Sequence, residues 1–132
     1  MNQLEGRTKV FYDSAASAGA EIVNIPLRPP GGELWHLLWA EGEQNDGNVN
    51  CGWKWVDPEN PAGIQLFGLA VAVNTPLAFG GMTASLQGPG AAPVPITDTR
   101  YPMYFFTASG AAKTGVVVAV IVEQIGAEGV DS

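Results

Sequence analysis

The residues with the most evident binding chemistry in this sequence are its four tryptophans, which all lie between positions 35 and 55. Trp35 and Trp39 fall on one face of a predicted strand, and Trp53 and Trp55 on one face of the next, because alternate residues of a strand share a face. A hairpin through the intervening polar residues would place the two pairs opposite each other. We expect most of these rings in a core or a subunit interface, and a platform that stacks on sugars is the alternative.

Residues suited to nucleophilic or acid–base catalysis are few. His36 is the only histidine and Cys51 the only cysteine, and no aspartate adjoins His36 in the sequence. We therefore expect a hydrogen-bonded structural histidine and a buried thiol, and a Cys–His pair would form only if their two strands were neighbours. The sequence predicts a protein that is not an enzyme. An isomerase-like or hydrolytic sandwich is a rival class that would need clusters of histidines or carboxylates.

The polar residues between the tryptophan pairs carry oxygen ligands of the kind that calcium binds. Glu41, Glu43, Asn45 and Asp46 supply them, but Asp46 stands where an EF-hand loop requires glycine. We expect a solvated turn at Asp46 and Gly47 instead. One histidine and one cysteine are also too few for a closed zinc site. The sequence thus predicts no metal and no organic cofactor.

Charge and loop composition argue against several classes of partner. The net charge is -7 and the six basic residues are scattered, which does not suit binding to a nucleic-acid backbone. The segments at 88–93 and 111–114 lack glycines that nucleotide-binding loops require, with Ala112 in the place of one of them, and strands rather than helices are expected after them. No apolar run approaches the roughly 20 residues of a membrane helix. We expect neither nucleic acid nor membrane as a partner, and synthesis in a reducing cytoplasm, since one cysteine cannot form an internal disulfide.

The elements that must position these residues are predicted as strands. Short apolar segments are separated by turns rich in Pro, Gly, Asn and Asp, and no helical period is present. With 132 residues, 46% of them hydrophobic and only 14% charged, the chain fits one domain whose surface is partly covered by other chains. We expect strands near residues 22–27, 34–41, 50–56, 64–73, 82–86, 96–97, 101–107 and 115–125.

Eight such strands predict an all-β fold: a single-domain antiparallel β-sandwich with a jelly-roll-like topology, spanning residues 21–132. The last two strands are predicted to form a hairpin in the middle of a sheet. Residues 1–20 are predicted to precede the sandwich as an extended N-terminal arm, because the small residues from 14 to 20 offer little to bury. Val10, Phe11 and Tyr12 give this arm a short adhesive segment for contact with a partner protein.

The segments WHLLW and CGWKW, followed by VPITDTRYPMYFFTASGAAKTGVVVAVIVEQI, resemble in length, strand order and texture the small single-jelly-roll proteins that tailed bacteriophages carry on their heads. The resemblance spans roughly residues 21 to 125. It implies a non-enzymatic decoration or cement subunit, often a trimer, on the capsid surface of the virion. Its partners would be the major capsid protein and further copies of itself. A carbohydrate- or receptor-binding module, such as a fibre tip or lectin, is the alternative that the tryptophan cluster leaves open.

Overall fold

The computed structural model describes residues 6–79 and 94–124, which form strands and connecting loops. This part of the chain contains no helix, and so none that could span a membrane. Seven of the eight expected strands have a counterpart in it, and the one expected at 82–86 lies outside the described residues. The strands are β1 (Gly6–Ala16), β2 (Ile22–Pro26), β3 (Trp35–Gln44), β4 (Val49–Asp57), β5 (Asn60–Val71), β6 (Leu77–Ala78), β7 (Val94–Ile96), β8 (Tyr101–Thr107) and β9 (Thr114–Gln124).

Two antiparallel sheets pack face to face. Sheet A has the order β1-β9-β3-β6, with β7 also paired to β3, and sheet B has the order β2-β8-β4-β5. The pairs are nested along the chain: β1 with β9, β2 with β8, β3 with β6 and β7, and β4 with β5. Successive pairs fall in opposite sheets, which is the arrangement of one long hairpin wound into a jelly roll. The predicted all-β sandwich is confirmed.

One apolar core fills the space between the sheets, because alternate residues of each strand point inward. In β2 the inward residues Val23 and Ile25 are buried, while the alternate residues Ile22 and Asn24 point outward and are exposed. Tyr104 of β8 pairs with Ile25 and is also fully buried. β3 and β9 show a similar alternation, which gives sheet A an inner face and an outer face, whereas β8 is buried at every position from Tyr101 to Phe106.

The structure corrects both hairpins that the sequence suggested. β3 lies in sheet A and β4 in sheet B, and β8 and β9 are likewise divided between the sheets. The connecting loops instead cross from one sheet to the other at the same end of the sandwich. Asp46 accepts hydrogen bonds from the backbone amide and the hydroxyl of Ser109, at 2.6 and 2.8 Å, and the Thr114 amide donates to Asn45 at 2.8 Å. These contacts join the two loops. The strands that each loop connects therefore face each other across the core instead of pairing within one sheet.

The segment expected as an arm is extended, and over residues 6–16 it is the edge strand of sheet A. β1 pairs with β9 along its whole length, from Gly6 opposite Gln124 to Ala16 opposite Thr114. Ser17 then fastens the end of the strand: its amide donates to the Lys113 carbonyl at 2.8 Å, and its hydroxyl accepts from the Lys113 amide at 3.0 Å. The segment is therefore held by its own chain, and residue 20 does not separate an arm from a sandwich.

Candidate functional site

The outer face of sheet A is largely apolar. Val10 and Tyr12 of β1 point outward with 67% and 65% of their surface exposed. Val120 and Val118 of β9 lie opposite them on the same face, because directly paired residues of an antiparallel ladder share a face. We call the following set the outer apolar face: Val10, Tyr12, Trp39, Val116, Val118 and Val120.

A bulge in β3 places Trp39 on this face. Leu37 pairs with Ile121 and Trp39 pairs with Val120, so Leu38 has no partner of its own. Leu37 points into the core, and Trp39, two residues later, would do the same in a regular strand. The extra residue reverses the alternation and turns the Trp39 ring outward beside Val120.

β9 carries apolar side chains on both of its faces. Its inward residues Val117, Ala119 and Ile121 are fully buried, and its outward residues Val116, Val118 and Val120 are partly exposed. An antiparallel sheet with one face in water normally has polar residues at alternate positions, and a continuous apolar run is typical of a strand buried on both faces. A contiguous exposed apolar patch on a soluble protein marks a surface that binds another macromolecule. The outer apolar face is therefore the candidate functional site.

Two acidic residues border this face. Glu41 of β3 pairs with Val118, and Glu43 pairs with Val116, so both carboxylates lie at the outer surface of sheet A. Each is partly exposed. The face is thus apolar over β1 and β9 and acidic along the far part of β3.

Ionic contacts anchor β1 to β9 at the other end of the sheet. Arg7 Nη2 and Lys9 Nζ donate to the two carboxylate oxygens of Glu123, at 2.9 and 3.1 Å. Lys9 Nζ also lies 5.2 Å from the centre of the Trp35 ring, and Phe11 packs against the same ring at a centroid distance of 5.8 Å. The hydrogen bonds from Lys9 and then Arg7 hold the pKa of Glu123 below its ordinary value.

We expect the attachment of β1 to weaken in acid. Because the folded pKa of Glu123 lies below its ordinary value of 4.5, its contribution to stability is complete above that pH and is lost as pH falls through the lowered pKa. Hydrogen-exchange protection factors of the β1 amides at pH 7 and pH 3 measure the effect. Glu123→Gln should remove this local pH dependence while leaving that of other carboxylates, such as Asp46, in place. Equal protection of β1 in the parent at both pH values would contradict the role of Glu123.

The four tryptophans do not share a surface. Trp53 is fully buried and Trp35 is 4% exposed. Trp55 is partly buried and stacks on Phe79, with centroids 6.2 Å apart and ring planes 18° from parallel. Trp39 lies on the outer face of the other sheet. The rings that could reach a ligand therefore belong to opposite sheets, and the four do not form one platform.

His36 and Cys51 are not brought together. His36 lies on the outer side of β3, opposite Val122, whereas Cys51 is fully buried on the inner side of β4 in the other sheet. The thiol of Cys51 donates to the Leu69 carbonyl at 3.5 Å, and burial raises its pKa. It is a protonated core thiol rather than an activated nucleophile.

The side-chain oxygens of Asn45 and Asp46, in the loop between β3 and β4, are used within the fold. Asn45 and Asp46 bind the β8–β9 loop as described above, and Lys113 Nζ approaches Asp46 at 3.6 Å. The hydrogen bond from the Ser109 amide lowers the pKa of Asp46. Across residues 6–79 and 94–124, no three His, Cys, Asp or Glu side chains lie where they could hold a metal ion.

A cleft of about 230 Å³ lies between the loops at one end of sheet B. Its lining includes Arg28, Asp57, Asp98 and Tyr101. The Arg28 guanidinium is already engaged: Nε donates to the Asp98 carbonyl at 2.8 Å, and the group lies 5.3 Å from the centre of the Tyr101 ring. The cleft is smaller than the roughly 300 Å³ at which ligand pockets begin, and its aromatic ring is covered.

The sequence indicated part of the candidate site. Val10 and Tyr12 were expected to contact a partner and do lie on the outer apolar face, whereas Phe11 points inward against Trp35. The run VVVAVIV of β9 was the signal for the rest, since its length without a polar residue indicates apolar faces on both sides.

Comparison of the chain with protein-family models, with curated proteins and with solved structures found no match.

Proposed function

We propose that this chain is a non-enzymatic structural protein of a bacteriophage virion: a capsid decoration or cement subunit that binds major capsid proteins and stabilises the head. The outer apolar face is the observation that carries the proposal. A sheet surface of valines and aromatic rings suits a large, ordered protein partner, since the cores of such interfaces are apolar and rich in aromatic residues. The jelly-roll topology agrees with the resemblance on which the capsid assignment rests.

Repetition strengthens a contact of this kind. A capsid presents the same surface many times, and copies that also contact each other bind through a raised effective concentration. Each outer apolar face therefore needs only modest affinity. Self-association is accordingly part of the proposal.

Charge favours a partner surface with basic groups at one border. Glu41 and Glu43 lie beside the outer apolar face, and the whole chain carries a net charge of -7. Complementary charges at the rim of an interface fix its orientation and speed association. Binding should consequently weaken as salt concentration rises.

Head binding tests the proposal directly. Heads assembled without this chain are incubated with the purified protein and sedimented, and the bound fraction is measured. Val118→Glu should reduce the affinity at least about tenfold, since it places an unpaired charge in the apolar contact. The parent chain should saturate the heads at a fixed ratio to the major capsid protein.

The matched control is Leu66→Glu, because Leu66 is 50% exposed on β5 of the other sheet. It makes the same change of charge outside the outer apolar face and should bind heads like the parent. Deletion of residues 1–20 is unsuitable, since it would remove β1 and uncover β9. The assignment is overturned if the parent does not sediment with heads, and the role of this face is overturned if both variants bind equally well.

A further inference from the structure

The outer edge of β1 is the longest strand edge without a proline or a register shift in the described part of the chain. β1 is 11 residues long, lies at the end of sheet A, contains no proline and pairs with β9 without a register shift. The long edge strand of sheet B, β5, contains Pro61 and two register irregularities. The opposite edge of sheet B is only five residues long and ends at Pro26. Short strands, prolines and bulges protect sheet edges against pairing with other chains, and β1 has none of them.

The sequence of β1 is complementary to itself in the antiparallel direction. In a pairing centred on Phe11, Val10 of one copy faces Tyr12 of the other, and Phe11 faces Phe11. Lys9 then faces Asp13, and the hydroxyl residues Thr8 and Ser14 face each other. Aromatic pairs, aromatic with β-branched pairs, opposite charges and hydroxyl pairs are the combinations that stabilise neighbouring strands. All four occur in this single register.

We infer that two copies of this chain associate through their β1 strands, antiparallel and centred on Phe11, to form one continuous sheet across a twofold axis. Each copy presents the same strand, so the contact is closed and self-complementary. Alternate residues of an edge strand direct their N–H and C=O groups away from the sheet, and pairing satisfies them. This inference deepens the self-association within the proposed function and rests on it.

Lys9 is the residue that could oppose the pairing, since a lysine pointing inward often protects an edge. Its charge is balanced within the copy by Glu123, at 3.1 Å, and across the axis it meets the exposed carboxylate of Asp13. Asp13 accepts a hydrogen bond from the neighbouring Ser14 amide. The strand thus offers a positive and a negative group at equal distances from its centre.

Pairing at β1 would also extend the outer apolar face. Val10 and Tyr12 point outward on both copies, so the two faces would meet at the twofold axis without a gap. The resulting surface is twice as wide as that of one chain. A twofold pair differs from the trimer implied by the resemblance, and the mass of the assembly distinguishes them.

Cysteine cross-linking tests the register. In the proposed pairing, residue 10 lies directly opposite residue 12 of the second copy, at a Cα separation of about 4.5–5.5 Å that a disulfide can span. Residues 10 and 10, or 12 and 12, are diagonal neighbours about 7–8 Å apart. A mixture of Val10→Cys and Tyr12→Cys chains should cross-link under mild oxidation much faster than either variant alone. The native Cys51 is fully buried and does not compete.

Sedimentation equilibrium of the purified chain tests the association without any capsid, so failure of head binding would not affect it. The parent should show a monomer–dimer equilibrium. Asp13→Lys places a lysine opposite Lys9 of the other copy on both sides of the twofold axis. The repulsion should raise the dissociation constant of the dimer about tenfold or more. Glu59→Lys, the same charge change at an exposed position in the β4–β5 turn, is the matched control and should leave it unchanged.

A second variant guards against a folding defect. Asp13→Glu keeps the negative charge that faces Lys9 and should leave the dimer intact, while circular dichroism verifies the fold of each chain. The inference is overturned by a parent that is monomeric or trimeric at every concentration. It is also overturned by equal effects of Asp13→Lys and Glu59→Lys, or by single cysteine variants that cross-link as fast as the mixture.

Discussion

Replacement of Trp53 by alanine is expected to lower the free energy of unfolding by about 3–5 kcal/mol, the cost of removing a large aromatic ring from a packed core. Trp53 is fully buried, and its indole Nε1 donates to the Leu77 carbonyl at 2.9 Å. Its ring meets those of Phe79 and Tyr104 edge to face, at centroid distances of 5.5 and 5.6 Å. Alanine would leave a cavity and a buried carbonyl without its donor. Urea unfolding followed by circular dichroism measures the loss.

Trp39→Ala is the matched comparison, since it removes the same ring from the outer apolar face. The loss of stability should be much smaller, because the ring is only partly buried. An aqueous quencher should reach Trp39 and leave Trp53 protected. Equal losses of stability in the two variants would contradict the division of the tryptophans between core and surface.

Gly52→Ala is expected to destabilise the protein by an amount at or above the upper end of the roughly 1–3 kcal/mol typical of overpacking. A Cβ at this position would overlap the Phe67 carbonyl oxygen and approach the Gly68 Cα at 3.0 Å. These are backbone atoms of β5, so they cannot rotate aside as a side chain would. Relief requires β5 to separate from β4 where Gly52 faces Gly68. Thermal unfolding and hydrogen exchange of the β5 amides measure the result.

Gly19→Ala provides the control for this prediction. No atom lies within 4 Å of the Cβ that would be added there, and the backbone has no positive φ. The substitution should be neutral, or stabilising by less than about 1 kcal/mol through the unfolded state. A Gly52→Ala chain as stable as the parent would show that β4 and β5 do not approach as closely as described.

The positions of the strands could be predicted because turn residues in the sequence mark where each strand begins and ends. β8 has the bounds expected from its aromatic run and flanking turns, β4 extends one residue further at each end than expected, and β9 begins one residue earlier. Apolar alternation and turn residues are properties of neighbouring positions, so they can be recognised without knowledge of the rest of the fold.

The assignment of strands to sheets could not be predicted in the same way. The loop after β3 crosses to the other sheet, where Asp46 binds Ser109, a residue far along the chain that no local pattern brings near. The outward position of Trp39 depends on a bulge, which no residue near Leu38 signals. Both outcomes are set by contacts between distant segments.

β1 escaped prediction as a strand because Arg7, Lys9 and Asp13 interrupt its apolar pattern. Two of these charges are balanced by Glu123, which only the folded sheet brings near. The β-prone run Thr8 to Tyr12 was the available signal. The candidate site was likewise only partly predictable. Val10 and Tyr12 could be recognised from the sequence as contact residues, but the outer apolar face to which they belong could be recognised only from the pairing of the strands.

The nested pairing of the strands also dictates an order of events during synthesis. β1 is synthesised well before its partner β9, and β2 must likewise await β8. Non-local pairings of this kind fold slowly, because the entropy of closing a long loop is lost before the contacts form. In that interval β1 exposes two free edges instead of one, and chaperone contacts or pairing with another nascent copy compete with its own β9. The same self-complementary strand that can join two finished molecules is therefore also the segment through which unfinished ones are most apt to misassemble.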